Sequence, residues 1–344
     1  MASNFKVQTR QLGKNGPVVP RLGLGCVPLG GGAYGLAASD EDRLAFLSEA
    51  YKLGARFWDV ADEYADAEDV IGKWITANPE KREDVVIGTK FGIVSDPVHR
   101  RAFATDSSPE YCRKAIEKSL SRLAVSYVDI YYIHRVDKVT PIEKTMEALV
   151  ELKNQGKIKH IGISECSAST LRRAHAIHPI TCVQVEYSLI CKAIETPEVP
   201  ILETARELGI AMVAYGPLGS GLLSGSIQKR EDITKPGDLR AMIPALRDEN
   251  FDSNMAIVGK ISDLAKRKGA TTGQFALAWL LAQGDDIFPI PGTSSARRLK
   301  ENFESMSISV SPEEDQILRD LAGGIVGQRV QELLGHAFAD SVPL

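Results

Sequence analysis

The chain has little that would mark an exported, membrane-spanning or metal-stapled protein. Its five cysteines, Cys26, Cys112, Cys166, Cys182 and Cys191, are odd in number, scattered, and never spaced Cys-x-x-Cys. That argues against a disulfide framework and against a structural metal site. The opening MASNFKVQTR lacks the apolar stretch of a secretory signal, and no uninterrupted apolar run approaches the roughly 18 to 20 residues of a membrane span. The final Val342-Pro343-Leu344 is neither an ER-retention nor a peroxisomal address. A soluble, cytoplasmic protein without a membrane partner is therefore expected. A basic surplus is also missing: 41 Lys and Arg face 45 Asp and Glu, for a formal net charge of −4. With no clustered positive charge to displace phosphate counterions, a dedicated nucleic-acid binder is excluded. Internal repeats and low-complexity tracts are absent as well.

What is present is an ordinary globular mix, 44% hydrophobic and 25% charged over 344 residues, long enough for two domains or for one large α/β barrel. Eight short β-branched or aromatic runs alternate with amphipathic stretches: Leu22–Cys26, Arg56–Val60, Val85–Thr89, Val128–Ile133, Lys159–Ile163, Cys182–Glu186, Ala211–Ala214 and Ile287–Pro289. Start and stop signals suit helices between them. Ser39-Asp40-Glu41-Asp42 opens a segment that ends at Gly54, Pro109-Glu110 opens Tyr111–Leu123, and Pro141-Ile142-Glu143 opens one stopped by Gly156. Such units close most economically into a (β/α)8 TIM barrel, read here as one domain over residues 1–344. A doubly wound dinucleotide fold fits worse, because in Leu22-Gly23-Leu24-Gly25-Cys26 the next glycine, Gly30, falls too late for G-x-G-x-x-G. Val7–Arg21, with a turn at Lys14-Asn15-Gly16, suits a β-hairpin under the barrel. Leu218–Phe251 reads as a long functional loop, Ser311–Leu321 as a last helix, and Gly323–Leu344 as a tail over the barrel mouth.

Chemistry in such a barrel gathers where strands end. Strand two ends at Asp59, five residues before Tyr64; strand three runs into Lys90; strand four runs into His134. Alone, each has a plainer explanation: a turn carboxylate, a snorkelling lysine, a packed aromatic, a structural histidine. Together at one end of three consecutive strands they can form a proton-donating site. The ammonium would lower the pKa of the phenol, the carboxylate would orient the ammonium, and the imidazole would orient a carbonyl. That is the polar half of carbonyl reduction, for which a cofactor must supply the hydride.

These stretches, with Gly88-Thr89-Lys90-Phe91-Gly92, Tyr132-Ile133-His134-Arg135, Gly162-Ile163-Ser164, Gln184-Val185-Glu186-Tyr187-Ser188, Ala214-Tyr215-Gly216-Pro217-Leu218 and Ile290-Pro291-Gly292-Thr293, occur in the order of a known family. The chain resembles the aldo-keto reductases over almost its whole length, and among them the microbial and plant potassium-channel-β-like branch. The resemblance implies Asp59, Tyr64, Lys90 and His134 as catalytic residues, with Tyr64 as general acid, and NADPH or NADP+ held without a Rossmann fold. It implies that Ser164 and Gln184 bind the nicotinamide carboxamide and that Tyr215 stacks on the ring. The stretch containing Gly216, Pro217, Leu218, Ser220 and Leu222 would fold over the pyrophosphate. Gly292, Thr293 and Ser294 would meet the adenosine phosphate, Arg298 the 2′-phosphate, and Glu301 and Asn302 the adenine. A guanidinium fork independently suits a phosphate dianion. Cys26 is grouped with the cofactor set for its place near the first strand end, against its plainer reading as a buried small hydrophobe.

Two positions depart from the family pattern: Glu165 stands where Asn is usual, and Ser294-Ser295 where many relatives carry a cation. A carboxylate cannot donate to a carboxamide oxygen. The expected partner is a small-molecule carbonyl compound, drawn from aliphatic or aromatic aldehydes, a pyridoxal-like vitamer or a ketone of secondary metabolism. The pocket walls would be Pro28–Leu36, Phe91–Asp96, the long loop and the tail. The alternative is a redox-sensing regulatory subunit with little turnover. Oligomeric state is left open.

Overall fold

The computed structural model describes residues 6–31, 35–95, 103–235, 238, 240–327 and 337–344. Gly32, Ala33, Tyr34, Asp96, Pro236, Gly237, Leu239 and tail residues 328–336, all within the expected pocket walls, lie outside the described residues.

Strands β1 (Thr9–Gln11) and β2 (Val18–Pro20) form an antiparallel hairpin, and β3 (Leu24–Gly25) and β4 (Phe57–Asp59) begin the parallel sheet. It continues through β5 (Val86–Phe91), β8 (Val128–Ile133), β9 (Ile158–Ser164), β10 (Cys182–Glu186), β11 (Ala211–Tyr215) and β12 (Ile287–Pro289). The eight strands run β3-β4-β5-β8-β9-β10-β11-β12. The ring closes where Gly23 N–H donates to Pro289 O at 2.9 Å and Gly25 N–H to Pro291 O at 3.2 Å. The (β/α)8 barrel is therefore the fold, and the eight expected strands lie within two residues of their sequence bounds.

Helices α1 (Val27–Gly30), α2 (Asp40–Lys52), α3 (Ala67–Ala77), α4 (Pro109–Leu123), α5 (Ile142–Asn154), α6 (Ala168–Ile177), α7 (Ile201–Leu208), α8 (Asp248–Arg267), α9 (Thr272–Ala282), α10 (Ala296–Glu304) and α11 (Pro312–Gly323) follow. Side chains of Ser39, Ser108, Ser167, Thr271, Ser295 and Ser311 accept from backbone N–H groups at their starts, the usual role of such residues at a helix N-terminus.

Two cores result. The larger lies between strands and helices. The smaller fills the barrel with Phe57, Ile130, Tyr132, Val213 and Phe288, and Leu12 and Val19 of the hairpin plug it from below. Lys14 N–H donates to Gly209 O ahead of β11 at 3.1 Å, which fixes the hairpin at the bottom as expected.

The loops after β5 and β11 depart from the sequence reading, whereas the tail lies where it was expected. A second hairpin, β6 (Ile93–Ser95) with β7 (Phe103–Thr105), extends the loop after β5. The long loop stops at α8, so Phe251 is helical, and the loop itself is broken into short 3-10 turns at Gly219–Gly221, Arg230–Ile233, Arg240–Met242 and Pro244–Leu246. The described tail reaches the upper rim, where Ala339 exchanges backbone bonds with Glu165 and Ser167 at 3.0 and 3.1 Å. Ser341 then accepts from Ile142 N–H at the start of α5 at 2.7 Å.

Candidate active site

At the carboxyl end of β5, Lys90 is fully buried. Its Nζ donates to Asp59 Oδ1 at 2.6 Å and to Val60 O at 2.7 Å. Such a cation is tolerable in an apolar barrel only when paired and hydrogen-bonded. The second Asp59 oxygen accepts from Gln184 Nε2 of β10 at 2.8 Å. Burial pushes Asp59 above its ordinary pKa, with Lys90 and Gln184 pulling the other way.

Tyr64 stands over this pair, its ring centroid 5.0 Å from Lys90 Nζ. The ring meets that of His134 edge-on, with centroids 5.9 Å apart and planes at 81°. His134 is placed by its own backbone, whose N–H continues the ladder to Phe91 O at 2.7 Å. Burial, then Arg135 and Lys90, hold its imidazole well below the usual pKa, so the ring is neutral at pH 7. Its Nδ1 is buried without a hydrogen-bond partner. The four side chains expected from three strand ends thus meet in one place.

The phenol departs from expectation in one respect. A lowered pKa was anticipated from Lys90, but burial, Asp59 and Glu63 hold Tyr64 well above its ordinary value, with Arg135 opposing. The ammonium is spoken for by Asp59 and a carbonyl, and desolvation of phenolate dominates.

The loop that carries Tyr64 is clamped from both sides. Arg122 of α4 donates to Asp62 O at 2.9 Å and also to Ala65 O, while binding Glu68 at 3.0 Å and Asp69. Arg43 of α2 reaches Leu29 O at 2.9 Å and grips the Asp66 carboxylate at 2.7 and 2.9 Å. Ala65 is held at φ 45°, a left-handed conformation unfavourable for alanine. Gly30 lets the loop close, since a Cβ there would come within 2.2 Å of Tyr64 O.

The remaining residues line the strands on the other side of the ring. Ser164 ends β9, fully buried, and its Oγ accepts from Arg135 Nη1 at 3.2 Å. Glu165, at φ 50°, accepts at Oε1 from Glu186 N–H and the Tyr215 hydroxyl, both at 3.0 Å. The carboxylate thus steadies the tip of β10 and the aromatic at the tip of β11. Tyr215, half-buried, leads into Gly216, Pro217, Leu218, Ser220 and Leu222, where Gly216, Gly219, Ser220 and Gly221 all have positive φ. Three consecutive positive-φ residues, Gly219 to Gly221, keep this stretch out of regular helix or strand directly after the tip of β11. Thr293 is buried, with its Oγ1 accepting from Ser295 N–H at 3.0 Å, while Gly292 and Ser294 are exposed. Arg298 lies exposed in the first turn of α10 and makes no side-chain hydrogen bond or ion pair among the described residues. Glu301 accepts from Thr271 Oγ1 at 2.7 Å, and Asn302 is buried beside it. Cys26 is fully enclosed, its thiol directed to Leu24 O and pushed far up in pKa by burial, and its N–H donates to Asp59 O at 2.8 Å. It stands in the wall under Asp59.

A family model described as the aldo/keto reductase family matches residues 21–322. The chain belongs to the aldo/keto reductase family. It is 42% identical over 318 residues to aldo-keto reductase str7 of Strobilurus tenacellus, covering 91% of each chain. To aldo-keto reductase yakc (NADP(+)) of Schizosaccharomyces pombe it is 39% identical over 345 residues, covering 99% of each. Among solved structures, a glycerol dehydrogenase of Gluconobacter oxydans is similar at TM-score 0.80 and 28% identity, over 96% of this chain and 98% of that one. A thermostable aldo-keto reductase in complex with epalrestat is similar at TM-score 0.71 and 29% identity, over 91% and 99%. The chain is therefore an oxidoreductase of the carbonyl-reducing kind. No helix among the described residues is long and apolar enough to cross a membrane.

Proposed function

We propose that this protein reduces an aldehyde or ketone to the alcohol with NADPH, and that Tyr64 supplies the proton. The observation that carries the reading is the fully buried Lys90, bonded to Asp59 and set under the Tyr64 ring. Two features of this chain fit the cofactor: an exposed, unengaged guanidinium at Arg298, and the positive-φ run that begins at Gly216 beside the half-buried Tyr215. Ser164 and Gln184 would hold its carboxamide, Tyr215 its ring, Gly216 to Leu222 its pyrophosphate, and Thr293, Arg298, Glu301 and Asn302 its adenosine end. Bound NADPH supplies the hydride.

Burial keeps Tyr64 protonated at neutral pH, so the proton is present when the carbonyl oxygen gains charge. As it leaves, the Lys90 charge, 5.0 Å from the ring centroid and still bonded to Asp59, would offset part of the charge that grows on the ring only in the transition state. The neutral His134 ring orients the carbonyl oxygen. Glu165 acts indirectly, by holding the Tyr215 hydroxyl.

The deciding experiment is NADPH consumption against a panel of aldehydes and ketones, beside Tyr64→Phe and an NADH control. Turnover that falls about 10²–10⁴-fold in Tyr64→Phe with NADPH binding retained is expected for loss of a general acid. Full activity in that variant would overturn the proton-donor role. Tight NADPH binding with no turnover on any carbonyl would favour a regulatory subunit instead.

A further inference from the structure

Arg135 follows His134 directly and is buried to 6% exposure. Its Nη1 donates to His134 O at 2.7 Å and to Ser164 Oγ at 3.2 Å. Among the described residues its Nε and Nη2 donate to nothing, and no carboxylate lies within ion-pairing distance. Neither nitrogen is among the fully enclosed polar atoms, so both open onto accessible space. The charge bears on the reacting groups: it helps hold His134 neutral and draws down both Tyr64 and Glu63. Among the described residues the other buried arginines have carboxylate partners, Arg43 with Asp66, Arg82 with Asp129, and Arg21 with Asp285.

A guanidinium buried without an anion is costly, and the edge left over is the planar fork that fits a carboxylate. We propose that Arg135 is a substrate-recognition residue, and that the protein prefers aldehydes or ketones bearing a carboxylate. This rests on the reductase reading above. The carbonyl would lie at Tyr64 and His134, with the acid group against Nε and Nη2 of Arg135. Glu63, half-buried on the Tyr64 loop, is the nearby acidic group. Burial favours its neutral form, and Lys90 and Arg135 oppose that shift.

The test is steady-state kinetics of the full chain with NADPH on matched pairs: 4-carboxybenzaldehyde against 4-nitrobenzaldehyde, and 4-oxobutanoate against its methyl ester. Wild type is expected to favour the acid in at least one pair by roughly tenfold or more in kcat/KM, as a charge-assisted contact allows. Arg135→Met is expected to erase that preference mainly through KM, with Arg135→Lys keeping part of it. No acid preference in wild type would overturn the proposal, as would a Met variant that loses acid and neutral substrates equally together with NADPH affinity. That last pattern would make Arg135 a positioning residue for Ser164. Should the variants fold poorly, competitive inhibition of wild type by benzoate but not by benzamide supports the site, and equal inhibition sinks it. Absence of turnover on all four aldehydes would instead refute the reductase reading, and benzoate binding to the NADPH-loaded protein would still decide on the arginine.

Discussion

Gln184 of β10 donates its side-chain amide to Oδ2 of Asp59 on β4, 2.8 Å away across the barrel. With Lys90 on Oδ1 at 2.6 Å, the carboxylate joins β10 to β4 and β5 through two side-chain hydrogen bonds. Gln184→Leu removes one of the contacts that orient Asp59. A hydrogen bond to a charged group contributes about 1.5–3 kcal/mol, so turnover is expected to fall by about tenfold or more, with NADPH affinity weakened as well. Parallel kcat and dissociation-constant measurements check this; unchanged values for both would show the bond to be incidental.

Lys90→Met strands the buried Asp59. Breaking one side of a buried pair destabilises by about 3–5 kcal/mol, so a fall in Tm should accompany the loss of turnover. Adding Asp59→Asn removes the uncompensated charge and should recover much of the Tm without restoring activity. Recovery of activity in the double variant would show that the ammonium is dispensable for proton transfer.

Arg298→Ala tests the 2′-phosphate assignment. The guanidinium is exposed and otherwise unengaged among the described residues, and Ser294 offers no second cation. A charge-assisted contact of about 1.5–3 kcal/mol predicts roughly a tenfold or greater loss for NADPH and little change for NADH. Fluorescence titration with both nucleotides reads the difference, and an equal loss for the two removes the assignment.

Asp62 sets a pH dependence of stability. Burial, then Glu68 and Glu63, raise its carboxyl from 3.8 to about 7, with Lys118 and Arg122 opposing, and its Oδ1 has no hydrogen-bond partner. A carboxyl with a raised folded-state pKa holds its proton more tightly folded than unfolded. Its contribution to stability therefore declines as pH rises from about 4 to 7, and the penalty is complete above 7. Asp62→Asn, which mimics the protonated form, should raise Tm at pH 8 by more than at pH 5. An equal change at both values would show that Asp62 does not titrate with folding.

Much of this was legible in the sequence. The eight strands could be read because each is a short β-branched or aromatic run between helix stop and start signals. Asp59, Lys90 and His134 could be read because a barrel sends the residues at its strand ends to one rim. The second hairpin was not read from the sequence, since Ile93–Ser95 and Phe103–Thr105 are only three residues each and a seven-residue connection separates them. Helix α8 was hidden behind a Gly- and charge-rich approach that masked where the loop ends.

By itself, the sequence determined the barrel, the family and the set of polar side chains at its upper rim, because periodicity, capping and strand order are local properties of the chain. Tertiary structure alone decided how those side chains are charged and held. Desolvation raises Tyr64 against the pull expected from Lys90, Glu165 holds the Tyr215 hydroxyl, and Arg135 keeps an unpaired edge among the described residues. Each depends on which atoms exclude water and which partners reach across the barrel, contacts between residues as far apart in sequence as Asp59 and Gln184.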